Sequence, residues 1–265
     1  MGHHNIQFFG DRLSSSGAWS PSNSRANFCE EDYVITFYLA EFINALTNIA
    51  YVYLALRAMY PPGRSTPLFR PRWDFMSLAL LVLGIGSFLF HATLRQTLEF
   101  ADEFSMLGLT WSMLHAALTA HQPAARARAI TVALAVVHLA FSGFYLWSAK
   151  IIYQVIAFQL GLAGVIARSL YVLHWRKPGF ESAKKREWSV RKLKALAVSM
   201  LGYFLWSIDL EYCAELRALK AQVGLPWAWL LEFHGWWHIL TAVGAAQSMQ
   251  VAREVREAGV GEKEE

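Results

Sequence analysis

Long apolar segments separated by short polar ones dominate the chain from residue 34 to residue 251. Each is roughly 20 residues or longer, the length that an α-helix needs to cross about 30 Å of hydrocarbon. The pattern predicts an all-α integral membrane bundle of seven transmembrane helices. Their approximate ranges are 34–57, 74–95, 100–121, 129–148, 151–175, 193–214 and 226–250. We expect residues 1–33 to form a separate N-terminal segment and residues 252–265 to form a charged tail.

The composition supports a membrane protein. Hydrophobic residues make up 55 % of the 265 residues and charged residues 17 %, against about 25 % charged in soluble domains. Disordered, collagen-like and soluble nucleic-acid-binding proteins are therefore excluded, and we expect membrane lipids rather than nucleic acid around the chain. The two cysteines are too few for a disulfide scaffold, a four-thiolate zinc site or an iron–sulfur cluster.

The distribution of Lys and Arg predicts the orientation of the bundle. Fourteen basic residues, among them Arg64, lie in the loops 57–72, 121–130 and 176–194. The segments on the opposite side carry six. Because cytosolic loops are enriched in Lys and Arg, the N-terminus is predicted to be lumenal and the C-terminus cytosolic. Residues 1–32 lack the apolar run of a cleaved signal peptide, so we expect the first helix to direct insertion.

Ionisable residues recur inside three of the predicted spans, where each needs a partner or a function. Ser87 and His91 are four residues apart in the second span, and His234 and His238 have the same spacing in the seventh. Residues with this spacing share one helix face. The predicted topology brings both pairs, together with Asp102 of the third span, into the lumenal half of the bundle.

This set of residues fits a catalytic zinc site, which usually has three protein ligands and an open fourth position. His91, His234 and His238 are the candidate ligands. Asp102 could orient or deprotonate a water molecule, and Ser87 could donate a hydrogen bond to a developing oxyanion. Paired histidines can also hydrogen-bond across a bundle or bind haem, and both alternatives stay open at this point. Asp209, in or near the sixth span, is a candidate for orienting a ligand of the site.

A second cluster of polar residues lies just before and inside the first predicted span. Its members are Asn27, Glu30, Glu31, Asp32 and Glu41. Carboxylate and amide oxygens are typical ligands of Ca²⁺, but an acidic helix start exposed to solvent is the favoured explanation for most of the cluster. Glu41 is the exception, because it is predicted to lie about two turns inside an apolar helix.

Cys29 and Cys213 are predicted to lie on the same, lumenal side, with Cys213 at the end of the sixth span. An oxidising compartment would permit a disulfide between them. Two unrelated thiols remain the alternative on this evidence.

Six sequence motifs, taken in order, resemble those of the alkaline ceramidases, seven-span membrane amidases in a superfamily shared with adiponectin-receptor-like proteins. The resemblance covers nearly the whole chain. The motifs are NFCEEDY, AEFINALTNI, GSFLFHATL, FADE, LWSIDLEYC and EFHGWWHILT.

The resemblance assigns a role to most of the candidate residues. It implies zinc ligands at His91, His234 and His238, a catalytic serine at Ser87 and a catalytic aspartate at Asp102. It also implies a calcium site formed by Asn27, Phe28, Glu30, Asp32 and Glu41, and a disulfide between Cys29 and Cys213. Phe28 replaces a tryptophan of the family pattern, and Asn27 and Asp32 have exchanged an amide and a carboxylate relative to it.

By this resemblance the expected activity is hydrolysis of the amide of ceramide to a sphingoid base and a fatty acid, with Zn²⁺ and Ca²⁺ as cofactors. No obligatory protein partner is expected, and the expected location is the endoplasmic reticulum or Golgi membrane. Three alternatives are a seven-helix receptor or lipid sensor, a haem electron-transfer protein, and a lipid-remodelling hydrolase of the same superfamily.

Overall fold

The computed structural model describes residues 11–61, 70–177 and 179–261. Within these ranges every regular element is a helix, apart from one isolated antiparallel bridge between Thr36 and Leu39. The predicted all-α fold is therefore confirmed. The first ten residues of the N-terminal segment, Arg64 of the basic loop and the last four residues of the predicted tail lie outside the described residues.

The described residues contain nine α-helices and one 3-10 turn. In chain order they are α1 (Phe42–Thr47), α2 (Ile49–Met59), α3 (Phe75–Thr93), α4 (Gln96–Thr119), α5 (Ala124–Ser148), α6 (Ile151–His174), α7 (Ser182–Glu211), α8 (Cys213–Val223), a 3-10 turn (Trp227–Leu231) and α9 (Phe233–Gly261). The helices α1 and α2 form one nearly continuous segment, interrupted only at Asn48.

In the described part of the chain, five helical segments are long and apolar enough to cross a membrane. They are Phe42–Met59, Phe75–Thr93, Ala124–Ser148, Ile151–His174 and Ser182–Glu211. The other two predicted spans correspond to α4 and α9, which are 24 and 29 residues long but less apolar. The hydropathy of α4 is lowered by three carboxylates in its first two turns, those of Glu99, Asp102 and Glu103.

The outer helices expose apolar side chains to an extent that is unusual in a soluble protein. Only 6 % of the apolar stretch of α5 and 11 % of that of α6 is buried. Leu139 and Leu160 are examples, each about 70 % exposed. Contiguous apolar surface of this kind is stable against lipid rather than water, so the fold is that of a membrane protein.

The first helix begins later than the sequence predicts. Residues 34–41 form a loop whose backbone pairs with the end of α3, through bonds from Ala40 N to the Ala92 oxygen and from Glu41 N to the His91 oxygen, both 3.0 Å. Two of the apolar residues in this loop, Phe37 and Tyr38, lie at the surface. The apolar composition of the loop therefore does not indicate a transmembrane helix. The prediction that Glu41 lies two turns inside the helix is therefore wrong, since Glu41 immediately precedes α1.

Three further boundaries differ from the predicted ones. The basic stretch before residue 193 is already helical, so α7 begins at Ser182. Cys213 is not the end of this span but the first residue of α8, a short helix that hydropathy did not reveal. Pro226 is followed by the 3-10 turn, so α9 begins at Phe233 rather than near residue 226.

Close packing of the inner helices positions the candidate site. A Cβ atom on Gly244 of α9 would lie 2.8 Å from the Ala195 oxygen of α7, so a glycine is required for this approach. Near one end of the same pair, Arg191 donates two hydrogen bonds to Glu254, 2.6 and 2.9 Å long. The main apolar core joins α2, α3, α4 and α9 and comprises Tyr51, Ala55, Met76, Ala79, Leu80, Leu83, Leu109, Ala242 and Met249.

Candidate metal and catalytic site

The structure brings together the three histidines that the sequence analysis selected. His91 lies in the last turn of α3, and His234 and His238 lie in the first two turns of α9. All three are buried, and one ring nitrogen from each lies within 4.8 Å of the others. The Nε2 atoms of His91 and His234 are 3.3 Å apart. This arrangement can hold one metal ion.

The outer ring nitrogens of two histidines have partners that fix the direction of the rings. Nδ1 of His91 is 2.5 Å from a carboxylate oxygen of Glu41. An ionised carboxylate has no proton and can only accept a hydrogen bond. Nδ1 of His238 is 3.0 Å from the hydroxyl of Thr47, whose own proton is donated to the Ile43 carbonyl. With Glu41 ionised, Nδ1 of both histidines carries the proton, which leaves Nε2 of each as the nitrogen available to a metal.

Ser87 and Asp102 lie next to each other in the same part of the bundle. Ser87 is one helical turn before His91, is almost fully buried, and interacts through its side chain with the carboxyl group of Asp102. Oδ1 of Asp102 is buried and accepts no hydrogen bond within the described part of the chain. A hydroxyl donor and a carboxylate with a free oxygen thus lie beside the histidines.

The carboxylates of the N-terminal segment are buried rather than solvated. Glu30 accepts hydrogen bonds from the backbone N–H groups of Ile43 and Asn44, at 2.7 and 2.8 Å, and so satisfies the first turn of α1. Glu41 accepts from Phe28 N at 3.2 Å and from the Asn44 amide at 3.0 Å, in addition to its contact with His91. The interpretation of this cluster as an exposed acidic helix start is therefore wrong for Glu30, and Glu41, which that interpretation did not cover, is buried as well.

Asp32 is also buried, with Oδ1 lacking a hydrogen-bond partner in the described structure. Burial and the neighbouring charges of Glu41 and Asp11 raise the pKa of Asp32 to about 8. Burial and the charge of Glu232 raise the pKa of Glu30 well above its usual value. Such shifts mean that the ionised cluster lacks sufficient positive charge in its surroundings.

The two remaining members of the predicted calcium set occupy different positions. Oδ1 of Asn27 accepts a hydrogen bond from the next residue, Phe28, at 2.8 Å. The ring of Phe28 stacks on His234, with 3.9 Å between ring centroids and 32° between planes. The same ring lies 5.1 Å from the ring of His91. The N-terminal segment therefore covers the histidines directly.

A disulfide joins Cys29 to Cys213, with their Cα atoms 5.3 Å apart, and this prediction is confirmed. Asp209, one turn earlier, accepts hydrogen bonds from the backbone N–H groups of Cys29 and His234, each 3.3 Å long. Asp209 thus contacts the backbone of a candidate ligand. The disulfide and Asp209 together attach the N-terminal segment to the histidine helix.

Several side chains around the site were missed by the sequence analysis. Arg217 and Lys220 of α8 both donate to the Cys29 carbonyl, at 2.9 and 3.2 Å. Arg217 also pairs with Asp11, and Lys220 pairs with Glu232 at 2.9 Å. In the sequence, Arg217 and Lys220 were recognisable only as two basic residues between the sixth and seventh predicted spans. Thr47 and Tyr51 had a better signal, because they are polar residues four apart on an apolar helix.

The chain is similar to known ceramidases. A family model described as Ceramidase matches residues 20–264. Alkaline ceramidase 3 of Mus musculus is 27 % identical over 234 residues, which cover 88 % of this chain and 84 % of that protein. Alkaline ceramidase YPC1 of Saccharomyces cerevisiae is 28 % identical over 244 residues, 87 % of this chain and 76 % of that protein. An alkaline ceramidase of Arabidopsis thaliana is 33 % identical over 99 residues, 37 % of each chain.

The family match spans nearly all of the described residues, including the histidines, Ser87, Asp102 and both cysteines. The resemblance stated from the sequence motifs is confirmed over most of the chain. The chain belongs to the Ceramidase family.

Proposed function

We propose that the protein is a membrane-embedded, zinc-dependent ceramidase that hydrolyses the amide of ceramide to a sphingoid base and a free fatty acid. The observation that carries the proposal is the buried group of His91, His234 and His238, in which one ring nitrogen of each lies within 4.8 Å of the others. Membership of a family whose named relatives are alkaline ceramidases supplies the substrate class.

The three histidines are the residues that would hold Zn²⁺. Three imidazoles with a fourth position left open are a typical catalytic zinc set, and the fixed Nδ1 partners of His91 and His238 fit such a site. A bound Zn²⁺ supplies Lewis-acid activation of water and of a carbonyl group.

Ser87 and Asp102 would perform the proton and hydrogen-bond steps. The Ser87 hydroxyl donates to the amide oxygen as negative charge develops there. Asp102 accepts a proton from the attacking water and delivers it to the nitrogen, so that the C–N bond breaks with a neutral amine as leaving group. Ser87→Ala should lower kcat by roughly 100-fold, the usual effect of losing one such donor.

The substrate would enter from the bilayer. The long chains of ceramide can be held among apolar helices, and their binding energy can position the amide at the histidines. We further propose seven spans, with α4 and α9 as the two less apolar ones, a lumenal segment 1–33, a catalytic region 34–251 and a cytosolic tail 252–265. By resemblance the membrane is that of the endoplasmic reticulum or Golgi, and no obligatory protein partner is required.

The topology is testable with introduced glycosylation sequences. Ser22→Asn creates an Asn-x-Ser acceptor in the N-terminal segment, and Glu187→Asn creates one in the basic segment at the start of α7. Because glycosylation is a lumenal modification, the first variant should gain a glycan in cells and the second should not. The reverse result would contradict the proposed orientation.

We also propose a Ca²⁺ site formed by Asn27, Phe28, Glu30, Asp32 and Glu41. Burial raises the pKa of Glu30 and of Asp32, and the buried carboxylate of Glu41 lies close enough to raise the pKa of each further. Asp32 also has a buried oxygen without a hydrogen-bond partner in the described structure. A cation that accepts oxygen ligands would satisfy both features. Ca²⁺ should raise the melting temperature of wild type after chelator treatment, and this increase should be lost in Asp32→Ala but kept in Glu31→Gln, a variant of an exposed neighbour.

The activity is tested by fatty-acid release from a panel of ceramides with detergent-purified protein. His238→Ala and zinc-stripped wild type should be inactive, and Zn²⁺ should restore only the latter. His174→Ala is the matched control, because this histidine is exposed at the end of α6; it should retain zinc and activity. If wild type holds one zinc per chain but cleaves no ceramide, the proposed substrate is wrong.

A further inference from the structure

Tyr51 is a buried tyrosine of α2 that the proposed mechanism does not use. It lies four residues after Thr47, the partner of His238, and its ring centroid is 6.3 Å from that of His238. A Cβ atom on Gly84 of α3 would lie 2.9 Å from the Tyr51 Cβ. The absence of a side chain at Gly84 therefore lets α2 approach α3 one turn away from Ser87.

The Tyr51 phenol belongs to a polar layer next to the histidines. Ser87 precedes His91 by one turn on α3, whereas Thr241 follows His238 by about one turn on α9. Because α3 ends where α1 and α9 begin, both displacements point to the same end of the bundle. The Tyr51 hydroxyl lies 2.5 Å from Thr241 Oγ1 and within electrostatic range of Asp102. The layer thus contains Ser87, Asp102, Tyr51 and Thr241.

The direction of the Tyr51–Thr241 hydrogen bond follows from the neighbours of Thr241. The single proton of the Thr241 hydroxyl is donated to the Trp237 carbonyl oxygen, 2.5 Å away. The phenol of Tyr51 is therefore the donor to Thr241. An amide oxygen is a stronger acceptor than a hydroxyl oxygen, so a substrate amide placed in this layer can replace Thr241 as the acceptor.

We propose that Tyr51 is a further catalytic residue, whose phenol donates a hydrogen bond to the amide oxygen of the lipid substrate. This rests on the proposed function for the nature of the substrate. Ser87 and Tyr51 would then contact the reacting group from two helices, α3 and α2, with Asp102 beside both. Thr241 would hold the phenol in position only until the substrate arrives.

Tyr51→Phe and Thr241→Val test this role because they remove the same hydrogen bond in opposite ways. Tyr51→Phe removes the donor, whereas Thr241→Val leaves the donor free for the substrate. We would measure the dissociation constant of a fluorescent ceramide, kcat/KM for ceramide, zinc content and melting temperature for both variants and wild type. Tyr51→Phe should bind ceramide about tenfold more weakly, the usual effect of one lost hydrogen bond, and lose at least as much kcat/KM. Thr241→Val should bind ceramide as tightly as wild type or more tightly.

The outcomes separate this proposal from the proposed function. Equal losses in both variants would mean that the hydrogen bond is only structural, and unchanged binding and kcat/KM in Tyr51→Phe would mean that the phenol does not contact the substrate. Either result overturns the role of Tyr51. If wild type binds ceramide without cleaving it, the proposed function fails while the binding constants still test Tyr51. If wild type neither binds nor cleaves ceramide, both proposals fail.

Discussion

Glu41 and His91 are buried side chains from different segments, and they meet in a hydrogen bond of 2.5 Å between Oε2 and Nδ1. The same carboxylate accepts from the Phe28 backbone and the Asn44 amide. Glu41 therefore connects a candidate zinc ligand to the N-terminal segment that carries the candidate calcium ligands. A structural change at the candidate zinc site or at the candidate calcium site can therefore affect the other site through the Glu41 side chain.

Replacing Glu41 should weaken zinc binding. Partners that orient a ligating histidine typically contribute 10- to 100-fold to metal affinity. Glu41→Gln keeps an acceptor for Nδ1 but loses the charge, so we expect a loss of about tenfold, and Glu41→Ala should lose more. The measurement is zinc retained by purified protein against increasing concentrations of a competing chelator.

Glu31→Gln is the control for this experiment, because Glu31 is exposed in the same segment. It should retain zinc as wild type does. Retention of zinc by Glu41→Ala at wild-type affinity would show that the hydrogen bond to His91 does not support the metal site.

The disulfide should stabilise the N-terminal segment against the bundle. Cys29 and Cys213 are separated by 184 residues, and losing a native disulfide typically costs about 2–5 kcal/mol. Cys213→Ser should lower the melting temperature in detergent, and reductant should lower that of wild type to a similar value. The double variant Cys29→Ser with Cys213→Ser should be insensitive to reductant; a reductant effect on it would place the redox-sensitive step elsewhere.

Asp74 should make the stability of α3 depend on pH. Partial burial raises its pKa, but hydrogen bonds from Ser77 and an ion pair with Arg253 outweigh burial, and the net pKa is lowered. A carboxyl group with a lowered pKa stabilises the fold above its unfolded pKa of about 3.9, and this contribution is lost as pH falls through the lower folded value. Asp74→Ala should cost about 1 kcal/mol at neutral pH.

Asp74 is the N-cap residue of α3, and Asp74→Asn separates its charge from this capping role. The amide oxygen can still accept from Ser77 N, so this variant should be more stable than Asp74→Ala at neutral pH but lose the ion pair with Arg253. The difference between wild type and Asp74→Asn should shrink below about pH 4. A difference that stays constant between pH 7 and pH 3 would contradict the assignment.

The proximity of the candidate residues, which the sequence predicted, depends on local spacing. Ser87 with His91, and His234 with His238, share a helix face because they are four residues apart. The end of α3 and the start of α9 then lie on one side of the bundle. Helix existence was equally predictable, because long apolar runs have few alternatives in a membrane.

The features that the sequence did not predict depend on long-range contacts. Hydropathy could not distinguish the surface loop before Phe42 from a helix, because both are apolar. The hydrogen bonds from Arg217 and Lys220 to the Cys29 carbonyl join residues 188 and 191 positions apart, and no periodicity in the sequence predicts them. The contact of Tyr51 with Thr241 likewise requires the packing of α2 on α9.

Phe28 should exclude water from the histidines, since its ring stacks on His234 and lies against His91 and Phe90. Phe28→Ala should cost about 3–5 kcal/mol of stability and speed the loss of zinc to a chelator, because solvent gains access to the rings. Phe28→Trp keeps an aromatic face and the same backbone carbonyl, so it should retain zinc and activity. Phe37→Ala is the matched control, since Phe37 is 55 % exposed, and it should behave as wild type. If Phe28→Ala loses stability but releases zinc at the wild-type rate, the ring supports packing alone and another group shields the site.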